Sequence, residues 1–234
     1  MGCYQDNGTW VWTAVDPVSK AVLAHVVGAR RQRNADRILA KVKDRISGTP
    51  FFVSDGLKLY SRAILSTYGQ WTEYPLTGKR GRPRKPGLAP PSDLRYAQVV
   101  KHQLGGHLVE VERKVIFGKD IAASEITTSF VERCNLTMRQ DNKRLARKTL
   151  AFSKKVQDLD EQMTIYFAHF NLCRPHMSLN RDDVIGRSAR RTPMMLLGVT
   201  DHVWSMRELL TFPYHNTSPY NLVSTTKSYV KKWV

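Results

Sequence analysis

The chain has 234 residues and a formal net charge of +17, with 37 Lys and Arg residues against 20 Asp and Glu residues. A surplus of this size predicts a polyanionic partner, most often nucleic acid, with an anionic membrane surface as the competing partner. The sequence argues against a transmembrane helix and against a signal peptide, because it has no long apolar run and a polar N-terminus.

The first part of the chain alternates between strand and helix patterns. Residues 9–16 and 20–27 alternate apolar and polar side chains as a β-hairpin does. Apolar residues at three-and-four spacing predict helices over residues 32–46 and 57–68. Residues 50–54 form a short apolar strand between them. The order strand, strand, helix, strand, helix predicts an α/β fold with a mixed sheet.

Asp55 follows that short strand and precedes Gly56. The end of a buried strand is where α/β proteins place site residues, and glycine allows a sharp turn there. Two interpretations of Asp55 are open. It is an N-cap of the next helix, the commoner role of an aspartate at this place, or it is a metal ligand.

A basic, proline-rich segment follows, and its Arg-Gly-Arg-Pro-Arg core resembles an AT-hook, which lays arginines into a narrow A·T minor groove. A solvated basic loop is the alternative. The DNA-binding residues predicted here are Lys79, Arg80, Arg82, Arg84 and Lys85. Residues 94–103 and 107–117 then alternate as two strands joined at Gly105-Gly106, so this insertion carries its own hairpin.

Residues 124–150 contain few helix breakers, and Ser129 with Glu132 three residues on resembles a capping box. A helix from Ser129 would place one carboxylate at the head of a row of amide and cationic groups. The members of this row are Glu132, Asn135, Arg139, Lys143 and Arg147. Such a face suits a metal ion at one end and DNA phosphates along the rest. The alternative is a solvated helix with Glu132 near its N-terminus for dipole reasons.

The rest of the chain carries a long helix and a basic tail. Residues 152–173 show an apolar stripe that predicts a core helix. Cys173 and His176 have a spacing seen in zinc sites, but no second ligand pair exists, which disfavours zinc. Three widely spaced cysteines indicate reduced thiols in a cytoplasmic protein. A short helix is expected over residues 205–211, within a loop-rich tail.

These pieces together resemble the DDE transposases of bacterial insertion sequences. The stretch Val53-Ser54-Asp55-Gly56 is similar to the second acidic motif of that family, and 130–139 (FVERCNLTMR) is similar to the third. Residues 152–156 and 171–176 resemble the downstream helix and its closing motif. The resemblance implies a ribonuclease-H-like integrase core over residues 1–180. A basic β-hairpin insertion at about 76–121 and a loop-rich tail over 181–234 complete the expected domain organisation.

The resemblance also implies a chemistry. In the family, water cleaves a DNA strand and the freed 3′-hydroxyl then attacks target DNA, with two Mg²⁺ or Mn²⁺ ions at the site. Asp55 and Glu132 would be the catalytic metal ligands here, while Asn135 and Arg139 would orient Glu132 and meet DNA. The implied partner is double-stranded DNA, with a homo-oligomer in synapsis and a location at the bacterial nucleoid.

One departure from the family is large. The first catalytic aspartate, expected in an Asp-Glu-x-Trp context on a strand before residues 9–16, is absent, and Asp6 and Asp16 lie in the wrong places. We therefore expect a core without its first strand, an incomplete metal site and no activity in this fragment. The alternatives are a non-catalytic DNA-binding remnant or regulator of the element, and an RNA-binding protein of ribosomal type.

Overall fold

The computed structural model describes residues 3–4, 8–74, 85–146, 149–182 and 188–212. The strands are β1 (Cys3–Tyr4), β2 (Trp10–Val15), β3 (Val22–Gly28), β4 (Phe51–Asp55), β5 (Gln70–Thr72), β6 (Gly87–Ala89), β7 (Arg95–Leu104), β8 (His107–Phe117), β9 (Arg181–Asp182) and β10 (Ser188–Ala189). The helices are α1 (Gln32–Lys43), α2 (Leu59–Tyr68), α3 (Ser129–Asp141), α4 (Val156–Leu172), α5 (Pro193–Leu196) and α6 (Met206–Thr211).

Strands β1, β2 and β3 form an antiparallel sheet that is covered on both faces. A short strand therefore precedes β2 and pairs with it, whereas the sequence predicted a core without its first strand. Successive side chains of a strand point to opposite faces. Trp12 packs in one apolar cluster with residues of α1 and α2, whereas Val11 packs in another with residues of α3 and α4. Burial of both faces explains why apolar residues occupy both sets of positions in these strands.

Strands β4, β7 and β8 form a mixed sheet. Strand β4 runs parallel to β7, and β7 runs antiparallel to β8. On one face, Phe52 and Tyr96 meet the cluster of α1 and α2, and on the other face Val53 and Ala97 meet Ile126. The α/β architecture with a mixed sheet flanked by helices is therefore confirmed.

The hairpin that the sequence predicted as an insertion is continuous with this sheet, because β7 pairs along the whole of β4. The turn residues Gly105 and Gly106 have φ angles of +59° and +84°, a backbone conformation that side chains with a Cβ rarely adopt. The predicted turn at Gly105-Gly106 is confirmed, and so are the bounds of β8.

Helix α3 begins at Ser129 as predicted, but the single helical row to Arg147 is wrong because the helix ends at Asp141. Asn142 adopts an extended backbone with φ −118° and ψ 108°. Its side-chain amide donates to the carbonyl of Met138 at 3.0 Å, which satisfies one acceptor at the helix end. Lys143 lies in the following 3₁₀ turn, and Arg147 lies outside the described residues.

Helix α4 begins at Val156 and not at residue 152, so Phe152 lies outside the helix and is exposed. The buried side chains of its predicted apolar stripe are Leu159, Met163, Phe167 and Phe170. The short helix predicted over 205–211 corresponds to α6, which Ser205 and Glu208 cap with reciprocal hydrogen bonds. Within the described part of the chain, no helix is long and apolar enough to cross a membrane.

Candidate functional site

Asp55 is the last residue of β4 and pairs in register with Val99 of β7. Its Oδ1 accepts a hydrogen bond from the backbone N–H of Leu57 at 3.3 Å, so the carboxylate helps to close the turn that leads into α2. Lys58, not Asp55, is the N-cap residue of α2. The strand-end position predicted for Asp55 is present, and the N-cap interpretation is wrong.

Glu132 lies in the first turn of α3 and has two partners. Its Oε1 accepts hydrogen bonds from Lys101 Nζ at 2.6 Å and from Thr128 Oγ1 at 2.7 Å. The predicted capping box with Ser129 is wrong, because Thr128 is the N-cap residue and makes no side-chain cap bond. Burial raises the pKa of Glu132, but these two hydrogen bonds and the Lys101 charge outweigh burial and lower that pKa below its usual value.

Strand β7 connects the two predicted metal ligands, because it pairs with the strand that carries Asp55 and its Lys101 bonds Glu132. Val99 is the register partner of Asp55, and Lys101 lies two residues further along β7, so the side chains of all three residues project from the same face of the sheet. The Lys101 ammonium then reaches Glu132. The sequence interpretation missed Lys101, for which the only signal is its position in an alternating strand.

The described carboxylates around Asp55 and Glu132 do not make up the ligand set of a two-ion centre. Among the described residues, no group of three or more His, Cys, Asp or Glu side chains could hold a metal ion. Asp55 and Glu132 offer the oxygen donors that Mg²⁺ prefers, but Lys101 already engages Glu132. Asp16 accepts from the N–H of Ser19 at 2.8 Å and so holds the turn between β2 and β3. Asp6 lies outside the described residues.

Asn135 ties α3 to a neighbouring strand, whereas Arg139 bonds within the helix. Asn135 is 1% exposed, and its Oδ1 accepts a hydrogen bond from Thr13 Oγ1 of β2 at 3.4 Å. Arg139 is half-buried and donates from Nε to the backbone carbonyl of Asn135 at 3.1 Å. The amide of Asn135 therefore joins the helix that carries Glu132 to the antiparallel sheet.

A cleft of about 600 Å³ lies between the C-terminal end of α3 and the N-terminal end of α4. Lys143, Arg144 and Lys154 line it with exposed side chains. Arg144 Nη1 donates to the buried hydroxyl of Ser153 at 3.0 Å. The sequence interpretation named Lys143 and missed the other two cations, although the density of basic residues between 143 and 155 is a visible signal.

The predicted AT-hook residues Lys79, Arg80, Arg82 and Arg84 lie outside the described residues, whereas Lys85 is described and exposed. The ends of this segment are brought together, because β5 pairs with β6 and Thr72 is in register with Gly87. Trp71 pairs with Leu88 at the base of the segment and is 68% exposed. The sequence interpretation missed Trp71.

The comparisons with known proteins gave a match over the segment that contains α3. Residues 102–171 match the family model described as IS1 transposase. No curated protein and no solved structure matches the chain. The matched segment includes Glu132, Asn135, Arg139 and Lys143 and leaves Asp55 outside. The chain is thus similar to IS1 transposases over the segment that carries β8, α3 and most of α4, which supports an insertion-sequence transposase.

Proposed function

We propose that the chain binds duplex DNA as a protein of the insertion-sequence transposase type. The similarity of residues 102–171 to IS1 transposases supports a transposase role, and transposases act on DNA. The net charge of +17 supports a polyanionic partner. The observation that carries the proposal is the basic cleft beside α3, because it gathers exposed cations next to the helix that bears Glu132.

The cleft suits a DNA phosphate. Lys143 and Lys154 offer exposed ammonium groups, and the guanidinium of Arg144 is oriented by Ser153. Two acidic residues also line the cleft, Asp141 and Asp158. Asp141 accepts from Arg174, which offsets its charge. We infer that the cleft holds a net positive charge and that Lys143, Arg144 and Lys154 contact the DNA backbone.

In this proposal, the residues that the sequence predicted as DNA contacts from Asn135 to Arg147 have two roles, contact with DNA and positioning of α3. Lys143 meets DNA in the cleft, and Arg139 and Arg147 extend the basic group on either side of it in sequence. Buried Asn135 acts by positioning α3 against β2. The segment with Lys79, Arg80, Arg82, Arg84 and Lys85 supplies a second contact, in the A·T minor groove.

We further propose that this 234-residue chain binds DNA without cutting it. A transposase cleaves one phosphodiester with water and joins the freed 3′-hydroxyl to another, using Mg²⁺ or Mn²⁺ to activate the attacking oxygen. Asp55 and Glu132 would be the ligands of such an ion, but Glu132 is paired with Lys101 and the described residues supply no third carboxylate beside them. Binding without cleavage is also what a regulator that occupies the element ends would do, in the bacterial cytoplasm near the nucleoid.

The DNA-binding part of the proposal is tested by fluorescence anisotropy with a short labelled duplex over a range of salt concentrations. We expect log affinity to fall steeply with log salt. The triple variant Lys143→Ala, Arg144→Ala, Lys154→Ala should bind less tightly, with a slope shallower by about 0.9 for each lost phosphate contact. Lys119→Ala, an exposed lysine after β8, is the matched control and should bind as the parent does. A flat salt plot, or equal loss in the control, would overturn the proposal, and tighter binding to duplex RNA would favour the ribosomal alternative.

The cleavage part is tested separately by incubating the chain with supercoiled plasmid and Mg²⁺ or Mn²⁺. We expect no nicking. Nicking that disappears in Glu132→Gln would show that the chain is an active nuclease that uses Glu132. That outcome would leave the DNA-binding proposal intact.

A further inference from the structure

The outer half of the β7–β8 hairpin is an exposed apolar ribbon. Every residue of β8 from His107 to Val115 is exposed, and β7 is exposed from Lys101 to its end at Leu104. The large apolar side chains among them are Leu104 (76% exposed), Leu108 (55%), Val109 (66%), Val111 (37%) and Val115 (42%). Such a group of apolar side chains on one ribbon is typical of an interaction surface.

The edge strands β3 and β8 differ in how their outer backbone groups are bonded. At the edge of β3, the Asn171 amide bonds both the N–H and the carbonyl of Val22, while Lys41 and Arg45 donate to the carbonyls of His25 and Leu23. These side chains block the addition of another strand. Within the described residues, β8 lies at the edge of the mixed sheet and receives no such side-chain bond on its backbone. The edge of β8 is therefore open to strand pairing along its regular part, from Glu110 to Val115.

The charged residues of the ribbon indicate which partner it binds. The ribbon carries Glu110 and Glu112 together with Lys101, Arg113 and Lys114, and its tip from His102 to Glu112 has no Lys or Arg. DNA phosphates are therefore disfavoured at the tip. In a chain with a net charge of +17, two copies meet with less repulsion at a surface that carries both signs of charge. Lys114, two residues beyond Glu112, supplies the opposite charge on the same strand.

We propose that the outer edge of β8 pairs antiparallel with β8 of a second copy of this chain about a two-fold axis. Such an interface is self-complementary, and one register lies within the regular part of β8. An axis through Arg113 places Glu112 opposite Lys114 of the second copy and Val111 opposite Val115. Arg113 then faces its own copy, but its guanidinium is held by the carbonyl of Ile126 at 3.2 Å. On both sides of the axis this register matches a carboxylate with Lys114 and valine with valine. This interface does not depend on DNA binding.

The test is a charge swap on the whole chain, read by sedimentation velocity. The parent chain should dimerise. Lys114→Glu alone should repel its own copy across the axis, and so should the variant Glu110→Lys, Glu112→Lys, so that each dimerises at least about tenfold more weakly. An equimolar mixture of these two variants should form a heterodimer as readily as the parent forms its dimer, because positions 112 and 114 of the two variants then face each other with opposite charge.

The control is Lys119→Glu, which makes the same change of charge outside β8 and should dimerise as the parent does. Circular dichroism would check that each variant is folded, and the rescue in the mixture excludes misfolding as the cause of a loss. A monomeric parent chain, an unchanged dimer in Lys114→Glu, or a mixture that stays monomeric would overturn the proposal. Loss of DNA affinity in Val111→Ser with no change of oligomeric state would assign the ribbon to DNA and also overturn it.

Discussion

The ammonium nitrogen of Lys101 lies 2.6 Å from Oε1 of Glu132, on the same face of the mixed sheet as Asp55. A carboxylate predicted to hold a metal ion thus has a cationic side chain as its partner. The contact is partly exposed, with the Lys101 side chain 40% and the Glu132 side chain 42% accessible. Dissolved cations therefore reach the Glu132 carboxylate and compete with the Lys101 ammonium for it.

Removing Lys101 should strengthen the binding of divalent cations. In Lys101→Met, we expect the pKa of Glu132 to rise towards its ordinary value, which still leaves the carboxylate ionised at neutral pH. Titration with Mn²⁺, followed by electron paramagnetic resonance, should give a lower dissociation constant than in the parent chain. Lys119→Met removes the same charge outside β7 and β8 and should leave the constant unchanged. Equal affinities in Lys101→Met and the parent would argue against a metal site at Asp55 and Glu132.

The basic segment between β5 and β6 should select A·T-rich DNA. We expect the variant Arg80→Ala, Arg82→Ala, Arg84→Ala to lose affinity for A·T-rich duplexes more than for G·C-rich duplexes, because the narrow minor groove of A·T tracts attracts arginine. Competition binding with the two duplexes measures the difference. Equal losses on both would indicate a nonspecific basic loop.

Trp71 should report DNA binding at the base of that segment. Its side chain is 68% exposed beside Leu88, so its emission should lie near that of tryptophan in water. We expect duplex DNA to quench this emission, and the quenching to be reduced in Trp71→Phe. Trp12 is 3% exposed, so DNA should leave its emission unchanged. Quenching that is identical in parent and variant would place Trp71 away from DNA.

Acid should destabilise the fold through His25. Burial, with the charges of Lys41 and Arg45, lowers the pKa of His25 to about 4 against the opposing effect of Asp160. The unfolded chain therefore takes up the proton near pH 6.5 and the folded chain only near pH 4. The contribution of neutral His25 to the free energy of unfolding is fully present above pH 6.5. It is lost between pH 6.5 and 4, a fall of up to about 3 kcal/mol. Urea unfolding across this range should show a smaller fall in His25→Gln. Parallel curves for the two proteins would contradict the prediction.

Loss of the Asn135 amide should loosen α3 from β2. The residue is 1% exposed and pairs with Thr13, so Asn135→Ala leaves a half-buried hydroxyl without this partner. We expect a loss of about 1–3 kcal/mol in the free energy of unfolding. Gln140→Ala, an exposed position on the same helix, should change it by less than about 0.5 kcal/mol. A similar small change in Asn135→Ala would mean that the amide does not hold the helix.

The elements with strong periodicity were predictable from sequence. Strand β8 has the bounds that its alternation predicts, and Gly105-Gly106 forms the predicted turn. The α/β order of the first part of the chain is also confirmed, because each apolar pattern there faces a cluster that buries it. Asp55 falls at the end of β4 for the same reason.

The features that were not predictable depend on single side chains reaching across the fold. Asn142 ends α3 by bonding the carbonyl of Met138, and nothing in helix propensity distinguishes it from its neighbours. Lys101 meets Glu132 only because β7 carries it past the start of α3. Arg144 and Ser153 become neighbours only when the chain turns between α3 and α4. Contacts of this kind follow from tertiary packing, which one sequence does not encode locally.

The pairing of Thr72 with Gly87 also makes the basic segment a favourable place for engineered insertions. The chain enters and leaves this segment at adjacent backbone positions, so its length can change without displacing β7 or α2. Doubling the length of a flexible loop costs only about 0.6 kcal/mol in closure entropy. A reporter domain with neighbouring termini should therefore be accommodated between β5 and β6 while the rest of the protein folds around its usual core.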